Sequence, residues 1–145
     1  MRRKVIVFVL LAAVGCSTFE ADWEAAGGMP LPSFPTALEG RWKGTWQSDA
    51  NGHSGALRCL LRRAEGESRY SARYHATYWG FFTFEYEVLM DASQESGTWK
   101  FRGSADLGWL AGGVYEYAGE AQGDEFRSTY ASKADRGTFR MSRVR

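Results

Sequence analysis

The chain has 145 residues, room for one domain. Its 18 basic and 17 acidic residues nearly cancel, which excludes the basic face that a nucleic-acid partner requires. Two histidines and two cysteines leave little titratable or metal-binding chemistry, and no spacing of them fits a metal site.

Arg2, Arg3 and Lys4 open the chain. Val5 to Val14 follows as an unbroken apolar run of roughly ten residues, too short to cross a ~30 Å hydrocarbon core as a helix. A basic start, a short apolar run and small residues after it read as a secretion signal over residues 1–15. Ala13-Val14-Gly15-Cys16 resembles the lipobox of bacterial lipoproteins, with Ala13 where that family more often has Leu. The resemblance implies that the leader is cut before Cys16 and that the Cys16 thiol carries a diacylglycerol. It also implies a cell-envelope protein, tethered to a membrane and facing away from the cytoplasm. An ordinary secretion signal with a chance cysteine is the other reading of these residues. Two or three acyl chains suffice for stable anchoring, since each buried CH₂ contributes ~0.8 kcal/mol. Loss of Arg2, Arg3 and Lys4 from the 18 basic residues leaves 15 against 17 acidic ones, net −2.

Residues 16–38 hold all three prolines and the Gly27-Gly28 pair, and read as an anchor and semi-extended linker. Within them, Phe19 to Ala26 is compatible with a short helical turn. Residues 39–145 contain no proline and alternate apolar with polar residues, the signature of half-buried strands. The first run is Gly40 to Ser48, with Trp42, Gly44 and Trp46 on one face. Ala56 to Arg63 puts Leu57, Cys59 and Leu61 on one face, where Cys59 reads as a small buried hydrophobe. Arg69 to Tyr78 does the same with Tyr70, Ala72, Tyr74, Ala76 and Tyr78, and leaves His75 outward. Phe81 to Met90 presents Phe82, Phe84, Tyr86, Val88 and Met90. Four more runs present Trp99, Phe101, Gly103 and Ala105; Tyr115, Tyr117, Gly119 and Ala121; Phe126, Ser128 and Tyr130; and Phe139 and Met141.

The connections are short and turn-rich, as in a succession of hairpins. About eight such strands close most naturally into an up-and-down antiparallel barrel, an all-β fold that removes both sheet edges; a β-sandwich is the alternative. Gly40-Arg41-Trp42, and again Gly44-Thr45-Trp46, resemble the Gly-x-Trp on the first strand of lipocalins and their avidin relatives. That resemblance implies a calycin-type barrel whose narrow end is closed by Trp42, with Arg140 or Arg143 packed over it.

A barrel of this size holds either a packed interior or one small ligand. Buried phenols need partners, so many inward tyrosines point to water, a ligand or an open end. A small apolar or amphipathic ligand is expected among Trp46, Tyr74, Tyr86, Phe101 and Tyr117. The turns after the odd-numbered strands share one end and carry His53, Trp79, Trp109 and Leu110. Trp109 and Leu110 are expected to fold down over the barrel mouth. In the alternative they form a gate, or a contact through which the chain acts as an interaction or inhibitor module. With the lipid at the opposite end, this rim is expected to face away from the membrane. No nucleophile with a base, no phosphate loop and no metal ligand set is visible. The expectation is therefore a binding protein without catalysis, cofactor or metal.

Overall fold

In the computed structural model, residues 12–30, 37–66 and 68–145 are described, with side chains from residue 18 onward. The basic start, most of the apolar run Val5 to Val14 and the side chain of Cys16 lie outside the described residues.

Eight strands follow one another: β1 (Gly40–Ser48), β2 (Ser54–Arg63), β3 (Arg69–Tyr78), β4 (Phe82–Glu95), β5 (Thr98–Asp106), β6 (Val114–Gln122), β7 (Glu125–Ala131) and β8 (Arg136–Arg143). Each pairs antiparallel with the next. β1 and β8 pair through a register that sets Trp42 opposite Arg143 and Trp46 opposite Phe139, so the sheet closes as a barrel rather than a sandwich. β4 runs to Glu95, further than its apolar alternation, because Ala92 still packs inward and the turn falls at Ser96-Gly97. Closure needs close backbone approach at Gly44. A Cβ there would lie 1.9 Å from the Arg140 carbonyl oxygen, so only glycine lets β1 and β8 coil past each other here.

The two ends differ. Around the turns that follow β2, β4 and β6 the interior is sealed. Trp42 is fully buried, donates Nε1–H to the Leu38 carbonyl at 3.1 Å, and packs on Phe126, which stacks on Phe101 at 4.8 Å. Arg143 covers it, with its guanidinium carbon 4.3 Å from the Trp42 ring centre. The same guanidinium donates to the carbonyls of Ala37 and Glu39. Arg143 therefore takes the capping place that the sequence left open between two arginines, and Arg140 is exposed on the outer wall. Cys59 is buried in the interior with its thiol pushed up by burial, which leaves it inert as a nucleophile.

Residues 18–27 are helical throughout, beyond the short turn expected for Phe19 to Ala26. They belong to α1 (Ala12–Gly27), which docks on the outside of β2 and β3. Phe19 and Trp23, four residues apart on one helix face, are buried against Leu60. Phe19 stacks on His75 at 5.0 Å, and Arg58 lies over both Phe19 and Trp23. Glu20 pairs with Arg58, and Asp22 with Arg73, which also holds Glu85 at 2.6 Å. His75 points outward as its alternation requires, yet it is buried, because the helix covers it. The helix also has a definite direction along the wall. Gly27 meets Arg41 near the sealed end, whereas Glu20 reaches Arg58 and Phe19 reaches His75, further along. The N-terminus of α1 therefore points toward the other end of the barrel.

This helix contact is sensitive to acid. Burial, and then the Arg58 guanidinium 3.4 Å from its Nδ1, hold His75 below its ordinary 6.5, while Glu20 and Glu85 oppose them. The docked form thus favours neutral imidazole. Its contribution is complete above pH 6.5 and is lost as pH falls from there toward the lowered value. Glu20, held below 4.5 by its hydrogen bond to Arg58, acts in the same sense at lower pH. Amide exchange in α1, corrected for its intrinsic rate, is expected to rise in two steps on acidification while the strands stay protected. His75→Gln should remove the upper step. A single step below pH 4 in the unmodified chain would contradict this account.

Candidate functional site

The turns after β1, β3, β5 and β7 surround the opposite end, and here the interior is open. A cavity of about 530 Å³ enters the barrel, within the range of small-molecule sites. Its walls are mostly aromatic: Trp46 from β1, Tyr78 from β3, Tyr86 from β4, Tyr115 and Tyr117 from β6, and Phe139 from β8. The alternation of each strand delivers these rings inward, and Ala76 on β3 leaves the space they face.

The rings are fixed by one another. Trp46 lies 4.6 Å from Tyr78 and donates Nε1–H to the Thr77 carbonyl at 3.0 Å. Tyr86 stacks on Tyr117 with ring centres 6.2 Å apart. Tyr130 packs 5.0 Å from Phe139, and its one hydroxyl proton is shared between Gln47 O and Asp135 Oδ2, both at 3.3 Å. Burial raises the pKa of Tyr78, Tyr86, Tyr117 and Tyr130, and the Asp135 carboxylate adds to this for Tyr78 and Tyr130. All four therefore stay neutral.

Asp135 sits at the mouth, in the short turn between β7 and β8. Its Oδ1 accepts from Ser48 Oγ at 2.6 Å and from the Arg136 amide at 2.8 Å. Ser48 Oγ in turn accepts from the Ala50 and Asn51 amides, so the Ser48–Asp135 bond ties two mouth turns together. Asp135 is the only charged residue lining the cavity, and it makes no ion pair among the described residues.

Of the five residues expected around a ligand, Trp46, Tyr86 and Tyr117 line this cavity together. Tyr74 lies below it, fully buried against Tyr86, Tyr117 and Phe139, and its hydroxyl has no hydrogen-bond partner among the described residues. Phe101 is in the sealed half, stacked on Phe126. Asp135 was missed as a site residue. Its signal was positional, a carboxylate in a turn at the same end as the tryptophan-bearing loops.

The rim residues stand where expected but not as a plug. Trp109 and Leu110 form a short 3₁₀ turn and are 85% and 83% exposed. Behind them Gly112 sits against the Tyr115 hydroxyl and Ala134; a Cβ at Gly112 would lie 2.7 Å from that hydroxyl. Trp79 takes a left-handed backbone (φ 49°) in the Trp79-Gly80 turn. Its ring projects to solvent beside Phe82, with His53 6.4 Å away. Phe81 is exposed next to them. The mouth therefore carries a crown of exposed apolar side chains around an open cavity, of the kind that marks an interaction surface.

Among the described residues, no group of three or more His, Cys, Asp or Glu is placed to hold a metal ion, and no helix is long and apolar enough to cross a membrane. Compared with family models, with curated proteins and with solved structures, the chain finds no match.

Proposed function

We propose that the chain is a lipid-anchored protein of the cell envelope whose barrel takes a small amphipathic molecule through its open end. The observation that carries this reading is the aromatic cavity of about 530 Å³, open at one end of a barrel whose other end is sealed. A core meant only to be packed would leave no such void, since interiors reach crystal-like density. The reading is one of binding, not catalysis. Ser48 gives its hydroxyl proton directly to Asp135 and accepts two turn amides, which is the work of a structural cap.

Support for the anchor comes from Ala13-Val14-Gly15-Cys16 and from the course of α1. Three helical residues, about 4.5 Å of rise, separate Cys16 from the docked Phe19. Acyl chains on Cys16 therefore leave the barrel on the side toward which the N-terminus of α1 points, the side of the open mouth. That reverses the orientation expected from the sequence. In this reading the exposed Trp79, Phe81, Trp109 and Leu110 face the bilayer, and the cavity draws its ligand from there.

A second reading is favoured by Trp109 and Leu110 alone: a protein partner that buries them and leaves the cavity unused. Native mass spectrometry of the chain purified from its own membranes separates the two. The binding reading expects a diacylglycerol-modified chain carrying an additional small molecule, released by mild collisional activation. A bare polypeptide mass, with neither acyl chains nor a bound species, would contradict it.

A further inference from the structure

The charge pattern of the cavity says what kind of head group it accepts. Its lining holds one carboxylate, that of Asp135, and no lysine, arginine or histidine. Tyr78, Tyr115, Tyr130 and Trp46 line the same cavity, with Tyr130 at hydrogen-bond distance from Asp135 Oδ2, and their π faces carry negative potential. Asp135 Oδ1 has two donors, but among the described residues Oδ2 receives only the long 3.3 Å bond from Tyr130, so one oxygen retains room for a donor. Lys133 and Arg136 share the turn with Asp135, but both are exposed and neither lines the cavity.

We propose that the cavity selects an organic cation, an amine or ammonium on an aromatic or short aliphatic body, with the cationic head between Asp135 and the tyrosine rings. This rests on the binding reading and gives it a ligand class. Anions are disfavoured and cations gain. A carboxylate or phosphate entering the mouth would lose water, meet the Asp135 charge, and find no cationic side chain in the lining, only neutral hydroxyl and indole donors. The phenols already feel that environment, since burial and Asp135 together disfavour the anion at Tyr78 and Tyr130. An ammonium instead meets a carboxylate that makes no ion pair among the described residues, together with the aromatic rings that line the same cavity, interactions that strengthen as water is excluded. The body of the ligand then lies along Tyr86, Tyr117 and Phe139, deeper in the barrel.

Three probes with one skeleton test the head group alone: 2-(2-naphthyl)ethylamine, 2-(2-naphthyl)ethanol and 2-naphthylacetate. They are titrated at pH 7 into the full acylated chain in nanodiscs, with the heat of empty nanodiscs subtracted. The expected order is amine, then alcohol at least tenfold weaker, then carboxylate weakest, with the amine advantage shrinking in high salt. Asp135→Asn keeps an oxygen acceptor for Ser48 and should bring the amine down to the alcohol. The order in the unmodified chain needs no variant, so a fold defect in Asp135→Asn leaves the test intact. Equal binding of amine and alcohol would overturn the cation assignment and leave the cavity reading standing. Preference for the carboxylate would overturn it outright. No binding by any probe would overturn both.

Discussion

Arg143→Ala is expected to cost about 3 kcal/mol of stability, most of it through the sealed end of the barrel. The guanidinium does three things at once. It covers the Trp42 ring at 4.3 Å, donates to the carbonyls of Ala37 and Glu39, and lies 3.6 Å from Asp124. The cation–π contact is largely desolvated and contributes about 2 kcal/mol. Truncation also strands two carbonyls at the entry of β1, and an unsatisfied buried acceptor costs about 1–3 kcal/mol. These terms overlap, because water can enter once the side chain is gone. For a barrel of this size the loss corresponds to a fall of about 10–15 °C in melting temperature. Arg143→Lys should recover only part of it, since an ammonium cannot lie flat on the indole and reach two carbonyls. Arg140→Ala, on the exposed wall, should stay within about 0.5 kcal/mol. Chemical denaturation of the three variants checks the ordering, and equal effects at Arg140 and Arg143 would contradict the assignment of the cap.

Ala76→Phe is expected to abolish ligand binding, by about 50-fold or more, while changing stability by less than about 1 kcal/mol. Ala76 lines the cavity, so a benzyl group there enters space that the ligand would use. Overpacking costs about 1–3 kcal/mol where a core is already full, and much less where a void receives the ring. Ala72 supplies the contrast. It sits four residues earlier on the same face of β3, completely buried in the sealed half. Ala72→Phe should therefore destabilise the barrel strongly and say little about binding. Calorimetry with 2-(2-naphthyl)ethylamine, beside thermal melts of both variants, measures the pair. Full binding by Ala76→Phe would place the ligand elsewhere.

That pair also shows what the sequence could and could not reveal. Alternation places Ala72 and Ala76 on one face, and it placed the inward rings of the seven strands that carry them on theirs. The barrel followed from short connections and from the need to cover each apolar face. Alternation carries no information about depth. Whether an inward residue lies in the sealed or the open half depends on register between strands distant in sequence, such as Trp46 opposite Phe139. Tyr74 and Phe101 were grouped with Trp46 for that reason, and depth separates them. The outer wall was misread for a different cause. Arg58, Leu60, Arg73 and His75 look like a solvated face until Phe19 and Trp23 are laid on them. Leu60, an apolar residue on the outward face of β2, was the available sign of a cover. Asp135 escaped because a carboxylate in a turn is ordinarily a cap, and here it is a cap that also faces a cavity.

The most direct test is the position of a bound ligand. Intermolecular nuclear Overhauser effects from the naphthyl protons of bound 2-(2-naphthyl)ethylamine should reach the rings of Trp46, Tyr117 and Phe139. None should reach Phe101 or Phe126 in the sealed half. Contacts to Phe101, or only to the outer wall at α1, would mean that the open end of the barrel is not the binding site.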